Sequence, residues 1–381
     1  MRFPVVPHRR NLPLRRRRHE LAILLALGML APALLDAAPS PRWGRQVCPG
    51  GAKLVGATPP AGFERYCVRE RDGDFLRHGA YRSWYDNGRK HVFGRYLAGE
   101  KSGRWYEYFD DGALRAFGDW RGGSRHGAER RFHHSGALAL EAGWKLGKPA
   151  GSRRRYHENG KPAEVAEFKA GVLHGPFRSW HPNGLLAKEG RYVQGEQSGA
   201  WLEHFESGAV KARGSYDHGK EHGDFEIFRP DGSVEWRGHF AQGQKHGTFV
   251  SFHAGGKMLS RERWVFDRRQ GRAETFRDDG SVETVVDYLD DQKHGVEQRM
   301  HPGGQVAHET TYENGKRNGV ERRFYVGGRL AAEIHWRDGE RHGLERRWHV
   351  SGTFEAAVCH LHGTERWTTV SEAELRVRPC P

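Results

Sequence analysis

The sequence predicts an all-β protein: an elongated, single-layer antiparallel array of β-hairpins, a solenoid or meander with a 24-residue period. Three observations carry this. First, glycine supplies 51 of 381 residues, about twice its usual share. Second, only 36% of residues are hydrophobic while 11% are aromatic. A chain poor in aliphatics and rich in rings cannot build one large oily core, yet the rings are too regular for disorder. Third, glycine recurs every 24 residues at Gly79, Gly103, Gly127, Gly151, Gly175, Gly199, Gly223, Gly247, Gly271, Gly295, Gly319 and Gly343, with no insertion or deletion. Such self-similarity marks a repeat architecture.

A second glycine follows each ruler glycine by nine residues, from Gly88, Gly112 and Gly136 onward to Gly352. Asn, Asp, Ser or Gly precedes it, as in Asn87-Gly88. Between two β-like runs this dipeptide signals a hairpin, because a tight turn of that kind needs positive φ. A third glycine lies twenty residues after the ruler, replaced only by Asp267 and Asp291. It forms a G-x-x-x-G linker, such as Gly99 to Gly103, that returns the chain to the next hairpin.

Aromatics fill the strands. Five residues after the ruler stand Trp84, Tyr108, Trp180 and equivalents; seventeen after it stand Tyr96, Trp120, Tyr192 and equivalents. Often a glycine lies two residues before the second ring (Gly94, Gly118, Gly190, Gly214, Gly238). A strand glycine leaves a hole that a neighbouring ring covers. The predicted core is therefore a column of rings over glycines, with Trp84, Tyr96, Tyr108, Trp120, Trp180 and Tyr192 among them. One hairpin alone is marginal; stacking makes the column continuous. Two strands per repeat at about 4.8 Å each give about 115 Å for twelve repeats. The frame covers residues 76–367, twelve repeats and a partial thirteenth.

The ends differ from the array. Residues 1–38 read as a signal peptide: seven arginines, then the short apolar run 21–35, then small residues. Ala31-Pro32-Ala33, Ala37 and Ala38 are candidate cleavage positions, and an uncleaved anchor is the alternative. Residues 39–75 form an entry cap with Cys48 and Cys67; residues 368–381 form an exit cap with Cys380. Export favours disulfides. Four cysteines allow three pairings. Cys48–Cys67 and Cys359–Cys380 are favoured, each stapling one end where a terminal repeat lacks a neighbour. A four-cysteine zinc site is the rival, opposed by the absence of C-x-x-C spacing.

Segments such as His78-Gly79-Ala80-Tyr81-Arg82-Ser83-Trp84-Tyr85-Asp86-Asn87-Gly88, then Gly94-Arg95-Tyr96, resemble the variant MORN repeat, including bacterial proteins labelled YwqK-like antitoxins. The resemblance covers about residues 76–367. It implies an interaction or membrane-proximal scaffold with no shared catalytic residues. The aromatic two residues after the ruler (Tyr81, Trp105, Phe177, Trp201, Phe225, Phe249) becomes Glu129, Arg153, Ala273, Glu297, Glu321 or Glu345 elsewhere. One face should thus change from aromatic to charged along the array.

No catalytic motif is present: no G-x-S-x-G, no H-E-x-x-H and no phosphate-cradling loop. Catalytic sites are asymmetric, whereas this sequence is nearly translationally symmetric. No cofactor or metal is expected. The histidines before ruler glycines (His78, His126, His174, His222, His246, His294, His342) would lie about 9–10 Å apart, too far to share an ion. The net charge is +14, of which residues 1–38 contribute +5 from seven arginines against Glu20 and Asp36, leaving +9. Glu129, Glu321 and Glu345 beside arginines read as cross-strand pairs on a solvated face. The expected protein is a non-enzymatic extracytoplasmic scaffold whose aromatic-to-charged face binds a protein partner. Anionic lipid or a cell-surface polymer is the alternative, an antitoxin-like role a third, and nucleic acid is disfavoured by export. No exposed aromatic is singled out as a contact.

Overall fold

The computed structural model describes residues 43–380, so the reading of 1–38 as a signal peptide lies outside the described residues. The chain divides at Gly44, and the unit Arg45–Pro381 holds every described strand. Thirty-two strand segments make one open antiparallel sheet in which each long strand pairs with the long strands before and after it, while two-residue segments such as Lys148–Pro149 pair only with the strand before. The sheet begins before the ruler, at Lys53–Gly56 against Glu64–Arg71, and ends at Thr364–Thr369. The one described helix, Glu372–Val377, packs beyond that last strand; the Ser371 hydroxyl caps it by accepting from the Glu374 N–H.

Two turn types alternate, and the positive-φ requirement falls differently from the sequence expectation. At the Asn87-Gly88 turn the Gly88 N–H donates to the Tyr85 carbonyl and the Tyr85 N–H to that of Arg89, both at 2.8 Å. Gly88 takes φ +77 and Asn87 stays out of the left-handed region. This is a type I turn followed by a glycine bulge, and the pairing slips between Ser83 and Trp84 accordingly. Two consecutive positive-φ residues occur instead at the linker, as Ala98 (+49) and Gly99 (+85). The linker is thus itself a two-residue hairpin, closed by Leu97 opposite Glu100. Where glycine is missing, Asp267 (φ +65) and Asp291 (φ +67) adopt the conformation and accept 2.8 and 2.9 Å bonds from the Lys245 and Arg269 N–H groups. That bond to the preceding repeat offsets the strain of a side chain at positive φ.

The ruler glycine sits in a bulge. Pairing passes from Phe93 opposite Tyr106 to Arg95 opposite Ser102, so Gly103, Arg104 and Trp105 together face Gly94. Gly103 has φ +67. The extra residues turn the side chain two places after the ruler toward the strand before it.

Both favoured disulfides are present, Cys48–Cys67 and Cys359–Cys380. A Cβ on Gly79 would lie 2.6 Å from Pro49 and 3.2 Å from Cys67, so the first ruler glycine seats the N-terminal staple. The C-terminal staple ties the segment after the helix to the buried Cys359 on strand Phe354–Leu361.

Candidate binding face

The position two residues after each ruler glycine organises the core. Tyr81, Trp105, Trp201, Phe225 and Phe249 are buried there. Each of the last four covers the strand glycine before it: a Cβ on Gly94, Gly190, Gly214 or Gly238 would lie within 2.4 Å of the ring of Trp105, Trp201, Phe225 or Phe249. Rings over glycines are therefore present, but the covering ring is the one read from sequence as a variable face. Of the rings predicted to be core, Tyr108 is fully buried; Trp84, Tyr96, Trp120, Trp180 and Tyr192 are half-buried. Tyr96 and Tyr192 flank the column edge-on, 5.0 Å from Trp105 and 5.1 Å from Trp201. A cation two residues before the ruler lies over the rings in several repeats, such as Lys101 at 4.4 Å from Trp105 and Lys245 at 4.4 Å from Trp264.

The aromatic-to-charged change is consequently not an exposed gradient. Glu129, Glu297, Glu321 and Glu345 occupy the same inward position, and Glu321 has no exposed surface. The expectation of cross-strand pairs on a solvated face is corrected in the same way. These carboxylates pair along their own strand, with the cation four residues before and the arginine two residues after. Glu321 receives Arg323 at 2.8 Å and Arg317 at 3.5 Å, and His308 donates across at 2.9 Å. Glu345 repeats the pattern with Arg341 (3.1 Å), Arg347 (2.5 Å) and His360 (3.1 Å). Burial alone would raise the Glu321 carboxyl; the bonds from His308 and Arg323 outweigh it and hold it at about 2. Burial likewise opposes, and Lys293 overcomes, in lowering Glu297. Cross-strand pairs do occur, one residue later in register on the opposite face, as in Arg130–Glu141 (2.9 Å) and Arg178–Glu189 (3.2 Å).

Sequence reasoning missed a ladder that joins successive repeats. The side chain six places after the ruler donates to the carbonyl five places after the next ruler. The Tyr85 hydroxyl donates to Tyr108 at 2.7 Å; His133 and His157 donate through Nε2 to Tyr156 and Trp180 at 2.9 Å each. His181, His253, His301 and Tyr325 do the same, and Arg229 and Arg277 reach Phe252 and Met300. Since a carbonyl only accepts, each imidazole carries its proton on Nε2 here. The signal was present: Tyr, His or Arg fills this position in ten of twelve repeats. The histidines before the ruler have a separate task. His78 and His126 accept through Nδ1 from the backbone N–H of Ala98 and Leu146 at the linker turn. Among the described residues, no group of three potential ligands could hold a metal ion.

The column is interrupted at repeat three. Gly118 is a strand glycine like Gly94, but the residue that should cover it is Glu129. A Cβ on Gly118 would meet nothing nearer than the Glu129 Cβ at 3.7 Å. A hollow of about 300 Å³ remains, walled by Trp105, Trp120, Arg125, Glu129 and Arg131. Glu129 is held at its edge by Arg131 (2.8 Å), Arg125 (3.3 Å) and the Trp144 indole N–H (2.8 Å). A second hollow, of about 210 Å³, adjoins it beyond Glu129.

Residues 150–170 match the family model described as MORN repeat variant. This supports a MORN-repeat kinship and a repeat scaffold. No curated protein matches the chain. Among solved structures, the crystal structure of TcdB2-TccC3-TEV aligns at 10% identity with a TM-score of 0.17, covering 80% of this chain and 17% of that one. The Photorhabdus luminescens Tc holotoxin pore with a TccC3 mutation aligns at 12% identity with a TM-score of 0.16, covering 79% and 17%. This chain thus spans under a fifth of the length of either, and TM-scores this low do not establish a shared fold.

Proposed function

We propose that this repeat scaffold is a non-enzymatic, extracytoplasmic protein that binds a protein partner along its sheet. The observation that carries the reading is the interrupted column. Translational symmetry stacks a ring over Gly94, Gly190, Gly214 and Gly238, and leaves cation-rimmed hollows over Gly118 and beside Trp144. Hollows also lie beside Tyr81 and beside Trp264, but at Gly118 the frame lacks the ring that covers Gly94, Gly190, Gly214 and Gly238, and such a vacated, cation-rimmed position is what a binding surface needs. The two disulfides are compatible with an oxidising compartment, and no described helix is long and apolar enough to cross a membrane. The symmetry elsewhere supports the absence of catalysis, and no cofactor is invoked.

The test is capture by the full chain from the extracytoplasmic fraction, run beside flotation with vesicles carrying anionic lipid. The expected result is one saturably captured protein and no flotation at physiological salt. Flotation at low salt that vanishes at high salt, with no protein captured, overturns the reading in favour of a lipid-associated element. An antitoxin-like role rests on the family resemblance alone; a captured partner that is a toxin, inhibited on binding, would sharpen the reading to that one.

A further inference from the structure

We infer that the hollow over Gly118 receives an aromatic side chain flanked by carboxylates, presented by the partner. This deepens the partner-binding reading and rests on it. The argument starts from the frame. At Gly94, Gly190, Gly214 and Gly238 a ring from the following strand lies on the glycine. At Gly118 the glycine and its register partner Trp105 are both present, but the following strand supplies Glu129. The Trp120 ring and the Arg125 guanidinium, 5.7 Å from that ring's centre, stand beside the gap as Tyr96 and Lys101 stand beside Trp105. The hollow thus keeps the walls of a ring site without a ring of this chain in it.

Two observations add the charge. Trp105 is 5% exposed and walls the hollow, and its buried indole N–H has no hydrogen-bond partner among the described residues, so an acceptor that entered with a small shift of the ring would satisfy it. Trp201 has an equally unpartnered N–H, but Phe225 fills the space over its register partner Gly214. The Trp105 site thus combines an unpartnered indole with a hollow where the following strand supplies no ring. The second observation is Arg115, an exposed residue of the rim that makes no ion pair among the described residues. Arg125 and Arg131, by contrast, already hold Glu129. An indole donor and an unpaired guanidinium both call for carboxylate oxygens, and the aromatic walls with Arg125 call for a π face.

The test is calorimetric titration of the full chain with the blocked tripeptide Glu-Phe-Glu, against Glu-Leu-Glu and Lys-Phe-Lys. The first should saturate one site and the other two bind at least tenfold more weakly. Glu129→Trp supplies the missing ring from within, with Arg125 placed to lie over it, and should weaken Glu-Phe-Glu at least tenfold. Gly118 is not at positive φ and has free space, so Gly118→Val fills the hollow from its floor and should do the same. Near-UV circular dichroism reports whether each variant is folded. Arg115→Gln should weaken Glu-Phe-Glu several-fold while leaving a neutral Gln-Phe-Gln peptide unaffected. Undiminished binding in a folded hollow-filled variant, equal binding of the three peptides, or no binding of any of them overturns the inference. A full-length partner that is still captured by Glu129→Trp removes this site while leaving the scaffold reading intact.

Discussion

Residues 175–264 and residues 295–360 share one 24-residue frame and close it by opposite chemistry. In the first region the inward column is continuous ring on ring: Phe177, Tyr192, Trp201, Tyr216, Phe225, Phe240, Phe249 and Trp264, with successive centroids 5.1–6.3 Å apart. In the second the same column holds Glu297, Glu321 and Glu345, clamped by cations from their own strand. The residues beneath them change too. Trp201, Phe225 and Phe249 lie over Gly190, Gly214 and Gly238 of the strand before, whereas Glu321 and Glu345 have Thr310 and Ile334 at that place. Volume is traded between the two positions. A ring demands the absence of a Cβ beneath it; a carboxylate, drawn sideways to its guanidiniums, leaves room that a branched side chain fills. The frame specifies the backbone, and the core chemistry is a local option within it.

The comparison breaks most visibly if rings and glutamates are of unequal importance. Phe225→Ala removes a buried ring that touches Tyr216 (5.5 Å) and Phe240 (5.2 Å). Such truncations cost about 3–5 kcal/mol. Repeat arrays unfold by parts, so the readout is native-state hydrogen exchange of amides 210–241. A loss of protection below about 1 kcal/mol would mean that the column is decorative.

Acid should separate the regions next. Glu321 is held at about 2, below its ordinary 4.5. A carboxyl depressed in the folded state stabilises above its unfolded value and loses that contribution as pH falls toward the folded one. Glu321 thus contributes on the order of 3 kcal/mol at neutral pH, lost between about 4.5 and 2. Glu297 adds to the loss in the same direction. Exchange protection in 295–348 should fall across that window while 199–252 changes less. Parallel acid curves for the two stretches would sink the assignment, and Glu321→Leu should flatten the first if an apolar isostere replaces the clamp.

Much of this is legible in the sequence. The period, the hairpins and both staples follow from glycine and cysteine spacing, because positive φ and loop closure are local demands. The inward column did not follow. Ring recurrence five and seventeen residues after the ruler assigns Trp84 and Tyr96 to the core, whereas the bulge at each ruler glycine turns Trp105 and its equivalents onto the strand glycines. A bulge is an extra residue in pairing and leaves no insertion in a repeat of constant length. The same blind spot made Glu321 look solvated: beside arginines, a glutamate reads alike on either face until register is known.

The volume trade itself can be tested by transplant. Thr310 lies on the strand before Glu321 and occupies the place that glycine holds beneath Trp201 or Phe225. Glu321→Phe alone should clash there and strand its cations. Glu321→Phe with Thr310→Gly should recover about 1–2 kcal/mol of the damage beyond additivity. A double-mutant cycle with coupling near zero would show that the two positions are independent and that the glycines serve only the backbone.

The smallest expected effect concerns what both regions share. The inter-repeat ladder runs through Tyr, His and Arg alike, with His181 and Arg229 in the aromatic stretch and His301 and Tyr325 bordering or within the charged one. Its geometry is fixed by the glycine-bulge turn, so its contribution should not depend on which core lies beneath. Removing one rung, by His181→Phe or Tyr325→Phe, deletes a hydrogen bond while keeping a ring, as Phe109 and Phe205 already do at this position. Each should cost about 1 kcal/mol, the net worth of an ordinary intramolecular bond, read as increased exchange at the two turns it joins. Equal losses in the two stretches would show that ladder and core are separate devices. A loss confined to the charged stretch would instead mean that the ring column already holds neighbouring repeats in register without it.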